Sequence, residues 1–154
     1  MEKNNNKFII RVYGLFINLN KEVLLSDEFM LDMKMTKFPG GGMNFGEGPI
    51  DCLTREIMEE MGQKIEIVDH FYTTDFFQPA YFYDNHQLIS IYYLARFIEP
   101  LKFKISTKPF DFKGLTDGNM SFRWRKINDI NQDEMTFSID RIVIQKLKLS
   151  EHHV

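Results

Sequence analysis

The sequence predicts an α/β (α+β) domain in which a mixed β-sheet is packed between α-helices. Segments rich in β-branched and aromatic residues, which favour strands, recur along the chain. Two other stretches, one central and one near the end, carry apolar residues at helical spacing. The chain has 154 residues, enough for one domain with its own core and too few for two ordinary ones. We therefore expect a single domain over residues 1–154.

The first part of the chain predicts two strands and a glycine loop. Phe8–Asn18 and Glu22–Leu25 have strand composition, and the turn-like residues 18–21 between them predict a hairpin. Pro39 and the glycines that follow it, residues 40–42, predict a loop, because proline fixes one dihedral angle and glycine permits conformations closed to other residues.

The central helix is predicted to begin at Gly48-Pro49 and to end at Gly62. Proline is favoured at the first helical position, and glycine is favoured just past the last. Apolar residues recur between these ends at a spacing that places them on one face: Ile50, Leu53, Ile57 and Met61.

The second half predicts three strands, a long loop and a closing helix. The strands are Lys64–Thr73, Leu88–Phe97 and Ser121–Ile127, and the amphipathic helix is Ile139–Leu149. The intervening segment, Leu101–Met120, predicts a loop long enough to cover a ligand. Five aromatic residues are expected in the core: Phe8, Phe16, Phe97, Phe122 and Trp124.

Composition excludes several classes of function. Hydrophobic residues make up 44% and charged residues 27%, and the net charge of −3 gives no basic excess to suit a nucleic-acid backbone. The apolar stretch Phe8–Leu19 is too short to span a bilayer and lacks a signal-peptide cleavage site. Cys52 is the only cysteine, so no intramolecular disulfide is possible, which fits the reducing cytoplasm. Its side chain is expected to be small and buried. We expect a cytoplasmic protein that binds neither nucleic acid nor membrane.

The last two turns of the central helix concentrate negative charge. Glu56, Glu59 and Glu60 fall within an arc of roughly 100° on one face, near the negative end of the helix dipole. An acidic helix face is ordinarily just solvated. Here Arg55 and the earlier Glu47 accompany it at fixed spacing, and a bound divalent cation is the simplest way to relieve the crowding.

The spacing of these residues resembles the Nudix box. Gly41 is followed by five positions and Glu47, then by seven positions and the run from Arg55 through Ile57, Glu59 and Glu60 to Gly62. The family prefers an aliphatic residue next, where this chain has Gln63, a difference that bears on local packing. The resemblance covers residues 41–63 and implies a single Nudix hydrolase domain over residues 1–154, with a Nudix-like α/β/α sandwich.

The resemblance implies hydrolysis of a diphosphate bond in a nucleoside diphosphate linked to another moiety, with Mg²⁺ or Mn²⁺ as cofactor. It implies metal ligation by the carboxylates of Glu56 and Glu60, with Glu59 completing the set or holding a second ion, and by the backbone carbonyl of Gly40. Glu56 and Glu59 are candidate catalytic residues, and Glu56 is a candidate base. Arg55 is the third candidate catalytic residue, and it is expected to orient the carboxylate of Glu47 or Glu59 through a forked hydrogen bond.

The general base and the substrate stay open. Some Nudix enzymes take the base from a loop, for which this chain offers Asp84, Asp111 and Asp117. Pro79 and Tyr81 lie where subfamilies that hydrolyse ADP-ribose and dinucleoside polyphosphates carry a proline and a tyrosine. This slightly favours ADP-ribose or another nucleotide sugar, with a nucleoside triphosphate or dinucleoside polyphosphate as the alternative.

The expected substrate contacts are Gly41, Gly42, Phe77 and Tyr81. The aromatic rings could form a surface on which a base stacks, although ordinary sheet and loop packing is the more common explanation of such rings. A non-catalytic Nudix-fold sensor and an interaction protein with an incidental acidic helix remain alternatives. The partner is expected to be a small-molecule nucleotide, and a homodimer is suggested by the family alone.

Overall fold

The computed structural model describes residues 5–150, which form seven strands and two α-helices. In chain order these are β1 (Lys7–Phe16), β2 (Glu22–Met30), β3 (Met33–Lys37), β4 (Gly40–Gly42), α1 (Pro49–Met61), β5 (Ile65–Thr73), β6 (His86–Phe97), β7 (Met120–Lys126) and α2 (Ser138–Ser150). Two single-turn 3₁₀ helices, Ile127–Asp129 and Gln132–Glu134, precede α2. The predicted α/β (α+β) class is confirmed.

The strands form two sheets. The four-stranded sheet has the order β4-β1-β6-β5, with β1 parallel to β6 and the other pairs antiparallel, so it is mixed as predicted. The three-stranded sheet has the order β3-β2-β7 and is antiparallel throughout. The sequence did not indicate this second sheet.

The strands β1 and β2 are confirmed, but the hairpin predicted between them is wrong. Asn18 closes the turn, since its Oδ1 accepts hydrogen bonds from the backbone N–H groups of Asn20 and Glu22. Beyond the single bridge Ile17–Val23, the two strands separate into different sheets. Both edges of β1 are already paired, with β4 on one side and β6 on the other, so β2 has no edge of β1 to join.

The loop predicted at residues 40–42 is also wrong, because Gly40–Gly42 is the edge strand β4, paired antiparallel with Arg11–Tyr13. Gly40 has a φ of 150°, and a Cβ atom there would overlap the carbonyl oxygen of Val12. The glycines therefore allow a backbone approach that strand propensity does not anticipate. Strand β3, which pairs with β2, was not predicted either.

Helix α1 has the predicted ends. The carboxylate of Asp51 accepts a hydrogen bond from the N–H of Gly48 at the start, and Gly62 ends the helix with a left-handed φ of 63°. The buried face consists of Cys52, Leu53, Ile57 and Met61. Ile50, predicted on this face, is 47% exposed, and Cys52 takes its place.

Each helix covers its own hydrophobic cluster. Helix α1 packs with Val12, Phe16 and Leu24, and helix α2 packs with Tyr13, Leu15 and Tyr92. Alternate residues of β1 therefore supply opposite clusters, as expected for a central strand. Among the predicted core aromatics, Phe16 and Phe122 are buried, Phe97 and Trp124 are partly buried, and Phe8 was wrong, since it is 68% exposed.

The long segment between β6 and β7 contains no helix or strand in the described structure, as predicted. Its start is fixed by Gln63, whose Nε2 donates to the carbonyl of Ile98 at 2.6 Å and whose Oε1 accepts from the N–H of Lys102 at 2.8 Å. Gln63, at which the sequence departs from the Nudix pattern, is therefore buried, and both polar atoms of its side-chain amide are hydrogen-bonded.

No helix within residues 5–150 is long and apolar enough to cross a membrane. The polar C-terminal end with His152 and His153, expected to fray, lies outside the described residues.

Candidate active site

The guanidinium of Arg55 joins helix α1 to the loop before it. Its Nε and Nη2 donate to the two carboxylate oxygens of Glu47 at 3.0 and 2.7 Å, and Nη2 also donates to the carbonyl of Gly42 at 2.9 Å. This is the forked geometry expected of a strong arginine–carboxylate pair. The orienting contact predicted between Arg55 and Glu47 is therefore present.

The same guanidinium also reaches the next two glutamates. Its Nη1 lies 3.0 Å from Glu56 Oε1 and 3.2 Å from Glu59 Oε2. Hydrogen bonds from Arg55, with one from the N–H of Asn44, lower the pKa of Glu47 to about 2. The three carboxylates raise the pKa of Arg55 further above its ordinary value. The positive charge is thus shared among three anions, which leaves the group acidic as a whole.

Glu56 is held from the other side by Gly41. A Cβ atom at Gly41 would overlap the Glu56 carboxyl group, so only glycine leaves room for it. Next to it, the buried Cys52 thiol lies 3.8 Å from the carbonyl of Gly41. Burial and the charge of Glu47 raise the pKa of Cys52 to about 12, which makes it the unreactive buried side chain that was predicted.

Glu60 faces inward from the same helix. Burial raises its pKa to about 8, and the charges of Glu56 and Glu28 act in the same direction, while Lys37 and Arg11 oppose them. Near neutral pH this carboxyl group therefore holds a proton unless another positive charge is supplied. A carboxyl group with so perturbed a pKa beside other carboxylates is a candidate functional residue.

The donor chemistry fits a hard divalent ion, although the ligands are not gathered around one point. Among residues 5–150, no three acidic, histidine or cysteine side chains are close enough to hold a metal. The reason is that Arg55 draws Glu56 and Glu59 to its own nitrogens. Carboxylate oxygens from Glu56, Glu59 and Glu60, with the carbonyl of Gly40, are the ligand type Mg²⁺ and Mn²⁺ prefer.

A cavity of about 230 Å³ lies between the two sheets and the start of α2. Arg11, Glu28 and Lys37 line this cavity, and their charges also act on Glu60. Lys37 Nζ lies 2.7 Å from Glu28 Oε2, and Arg11 Nε donates to Tyr13 Oη at 2.6 Å.

Aromatic rings line the opposite part of the cavity. Tyr81 and Phe82 approach from the connection before β6, and Phe137 approaches from the residue before α2. The ring centroids of Tyr81 and Phe137 are 4.8 Å apart. The Tyr81 hydroxyl lies 2.6 Å from Ser138 Oγ, which fixes the ring against the start of α2.

One buried acid lies on the cavity wall. Asp140 is 2% exposed, and its Oδ1 accepts a hydrogen bond of 2.6 Å from the Tyr92 hydroxyl. Its Oδ2 has no hydrogen-bond partner within the described part of the chain. Burial raises the pKa of Asp140 to about 6, against the effects of Tyr92, Lys37 and Arg11. The group is therefore an anion above that pH.

A second cavity, of about 310 Å³, is lined by Glu60 and by the long segment before β7, including Asp111. Asp111 lies 3.5 Å from Lys104 Nζ and 3.7 Å from Lys108 Nζ. Burial raises its pKa, but Ser106 and the two lysines outweigh burial and hold the pKa below its ordinary value. Of the three loop acids considered as bases, only Asp111 lines a cavity described here, and Asp84 and Asp117 are exposed.

The structure brings most of the predicted site residues together. The residues of the glutamate end lie around the last turns of α1: Gly41, Gly42, Glu47, Arg55, Glu56, Glu59 and Glu60. Gly40 adjoins them in β4. Tyr81 lines the cavity, whereas Phe77 does not line it and is 69% exposed, so its contact with substrate stays a prediction.

Four charged cavity residues were not anticipated: Arg11, Glu28, Lys37 and Asp140. Two carried a usable signal, because Arg11 interrupts an apolar strand and Asp140 lies on the apolar stripe of α2, one residue after Ile139 and three before Val143. Lys37 carried none, since its strand was not predicted.

The sequence profile described as NUDIX domain matches residues 7–147. No curated protein matches the chain in sequence. Among solved structures, the solution structure of the E. coli ORF135 protein is similar with a TM-score of 0.71 and 13% identity, covering 99% of this chain and 97% of that one. The MutT protein from Methanosarcina mazei Go1 is similar with a TM-score of 0.69 and 18% identity, covering 97% and 99%. A NUDIX hydrolase from Nitrosomonas europaea has a TM-score of 0.67 and 15% identity, covering 92% and 89%.

Proposed function

This chain belongs to the NUDIX family of pyrophosphohydrolases, and we propose that it uses Mg²⁺ or Mn²⁺ to hydrolyse the diphosphate bond of a nucleoside diphosphate linked to another moiety. The observation that carries the proposal is a set of three charged residues common to the cavity and to the surroundings of Glu60. Arg11, Glu28 and Lys37 act on Glu60 and also line the cavity. A molecule with a ring system in the cavity therefore places its phosphates against the glutamates.

Different residues of the chain have separate proposed roles in phosphate binding, proton transfer and metal binding. Arg11 and Lys37 supply positive charge where a diphosphate crosses from the cavity to helix α1. Arg55 and Gly41 hold the carboxylate of Glu56, which makes Glu56 the best oriented base to accept a proton from the attacking water. Glu56, Glu59 and Glu60 would hold a divalent ion, which when bound would supply charge neutralisation at the phosphoryl oxygens.

The substrate is proposed to be a nucleotide sugar, with ADP-ribose as the first example to test. Pro79 forms an isolated bridge with Gln87, and this contact brings the connection before β6 to the cavity, where Tyr81 lines the wall. The cavity is smaller than a typical pocket for a drug-sized ligand, so it accommodates a base and part of a ribose and leaves the second moiety outside.

The test is a substrate panel assayed with and without Mg²⁺. Nucleotide sugars, dinucleoside polyphosphates and nucleoside triphosphates are incubated with the purified protein, and products are separated by ion-exchange chromatography. We expect hydrolysis only with metal, with a nucleoside monophosphate among the products of a nucleotide sugar. Binding without cleavage across the panel would indicate a sensor, and cleavage unaffected by chelation would overturn the metal assignment.

Location and assembly are also part of the proposal. The single buried thiol is compatible with the cytoplasm. A homodimer is proposed from the family alone, and light scattering coupled to gel filtration measures it directly.

A further inference from the structure

We propose that the second cavity, which is lined by Glu60 and the long segment before β7, binds the terminal sugar of the substrate, and that Asp111 accepts hydrogen bonds from the sugar hydroxyls. This inference rests on the proposed function, because it locates the second moiety of the same nucleotide sugar. It also distinguishes a sugar from a further phosphate and from a second nucleoside in that position.

The first step of the argument is the position of the second cavity. Glu60 lines this cavity, and its carboxyl group also feels the charges of three residues that line the first cavity: Arg11, Glu28 and Lys37. Glu60 is therefore common to the surroundings of both cavities. In a nucleotide sugar the diphosphate lies between the nucleoside and the sugar. With the nucleoside in the first cavity and the diphosphate at the glutamates, the second cavity is the one available to the sugar.

The second step is the lining of this cavity, which combines polar groups with aromatic rings. Its polar side chains include Lys104, Ser106 and Asp111. The rings of Phe103 and Phe122, whose centroids are 5.8 Å apart, line the same space. A carboxylate only accepts hydrogen bonds and an ammonium group only donates them, so together they match sugar hydroxyls, which do both. The ring surfaces offer apolar area to the C–H groups of a sugar.

The third step is the charge and the size of the cavity. Lys104 Nζ and Lys108 Nζ already lie 3.5 and 3.7 Å from the carboxylate oxygens of Asp111. A further phosphate would compete with Asp111 for these lysines and would meet a like charge, whereas an uncharged sugar meets no such penalty. The volume of about 310 Å³ is at the lower end of the range for small-molecule pockets, so it suits one sugar ring and not a complete second nucleoside.

The fourth step is that buried contacts hold the wall that carries Asp111. The N–H of Asp111 donates to Ser121 Oγ at 3.1 Å, and the N–H of Phe110 donates to Asp27 Oδ2 at 3.3 Å. Asp27 is fully buried, and Arg123 Nε donates to the same oxygen at 2.7 Å. These contacts hold Phe110 at a left-handed φ of 51°, which residues other than glycine rarely adopt. Asp111 is therefore preorganised, which lowers the entropic cost of binding a ligand.

The proposal is tested by binding, with NMR titrations of the ¹⁵N-labelled full chain in EDTA. Each nucleoside diphosphate is compared with a sugar derivative: ADP with ADP-ribose, UDP with UDP-glucose, and GDP with GDP-mannose. In the pair that binds most tightly, we expect the sugar to lower the Kd about fivefold or more, because only the sugar bonds to the charged groups of the second cavity. Amide signals of residues 103–111 and 120–122 should shift with the sugar derivative and not with the diphosphate alone. ATP, which carries a further phosphate instead, should bind no more tightly than ADP.

The matched variants are Asp111→Asn and Asp133→Asn. Asp111→Asn preserves the shape and replaces one acceptor oxygen by a donor group, so the gain from the sugar should fall below about twofold while the Kd of the diphosphate is unchanged. Asp133 is exposed in the 3₁₀ helix before α2, and Asp133→Asn makes the same chemical change away from the cavity. The control should keep the wild-type gain.

The outcomes separate this inference from the proposed function. Equal affinity within the tightest pair, no measurable binding of any of these nucleotides, a gain with ATP as large as with the sugar, or a sugar gain that survives Asp111→Asn would each overturn the sugar site. Failure to hydrolyse any nucleotide sugar with Mg²⁺, while the sugar-dependent gain in binding is intact, would instead overturn the proposed activity and leave the sugar site standing.

Discussion

The two ends of the site are built in different ways. At the glutamate end, Arg55 binds Glu47, Glu56 and Glu59 within one loop and helix, and every one of these carboxylates lies within eight residues of the arginine. At the cavity end, Asp140 meets Tyr92 from 48 residues away in the chain. The first end is a local arrangement of charges, and the second is an assembly of distant segments.

This difference separates chemistry from selectivity. A fixed set of carboxylates serves any diphosphate, because the reacting groups are the same in every substrate. The cavity faces the part of the substrate that varies, and its lining comes from both sheets, the connection before β6 and helix α2. Substitutions at the two ends should therefore change different kinetic parameters.

The largest effect is expected from Glu60→Gln. Loss of the carboxylate removes a proposed metal ligand, so kcat should fall about a hundredfold or more while the fold is retained. Steady-state kinetics with Mg²⁺ measures the loss, and circular dichroism checks the fold. Glu66→Gln, which changes an exposed glutamate paired with Arg96, is the control and should retain full activity. Full turnover by Glu60→Gln would refute the metal assignment.

Arg55→Ala should produce the next largest loss. The substitution leaves Glu47, Glu56 and Glu59 without their shared donor, so we expect kcat to fall about tenfold to a hundredfold. The pKa of Glu47, lowered to about 2 mainly by hydrogen bonds from Arg55, should return toward the ordinary glutamate value, which a carboxylate NMR titration detects. Arg96→Ala removes an exposed arginine–glutamate pair and serves as control. A Glu47 pKa that stays near 2 in Arg55→Ala would contradict this role.

Gly41→Ala tests the placement of Glu56 alone. The new methyl group overlaps the Glu56 carboxyl and displaces it, so kcat should fall about tenfold with little change in KM. At Gly48 an added Cβ meets Asp51 at 3.4 Å, an ordinary contact, so Gly48→Ala is a matched control. If both variants keep wild-type kcat, the contact between Gly41 and Glu56 has no catalytic consequence.

The smallest expected effect is on the free energy of unfolding. Its pH dependence distinguishes Asp140 at the cavity end from Glu60 at the glutamate end. Both carboxyls have a raised pKa in the folded protein, so each favours folding when protonated, and that contribution is lost as pH rises. For Asp140 the loss falls between about pH 4 and 6, and for Glu60 between about pH 4.5 and 8.

Urea unfolding in EDTA measures this dependence across the pH range. By pH 7 the free energy of unfolding of Asp140→Asn should exceed that of the wild type by about 1–3 kcal/mol. By pH 9 the free energy of unfolding of Glu60→Gln should also exceed that of the wild type by about 1–3 kcal/mol. This is less than the full pKa shift would give, because Glu60 is partly exposed. Addition of Mg²⁺ should stabilise the wild type at pH 8 and leave Glu60→Gln unchanged. Identical pH profiles of the unfolding free energy for the two variants would show that Asp140 and Glu60 do not titrate independently.

The sequence predicted the glutamate end because its residues are neighbours in one helix and one loop. Helical spacing places Glu56, Glu59 and Glu60 on one face, and the bounds of α1 follow from Pro49 and Gly62. The same local reasoning failed at Gly40–Gly42, since that strand exists only by pairing with β1. It also failed for the hairpin after β1, because the partners of each strand edge come from distant parts of the chain.

By itself, the sequence determined the secondary structure of the helices and most strands, the acidic constellation and the family, all of which depend on residues close together in the chain. The tertiary structure alone decided the division into two sheets, the meeting of Arg11, Lys37 and Asp140 in one cavity, and the unpaired oxygen of Asp140. The physical reason is that burial and hydrogen-bond satisfaction depend on contacts between distant segments, which periodicity and spacing do not encode.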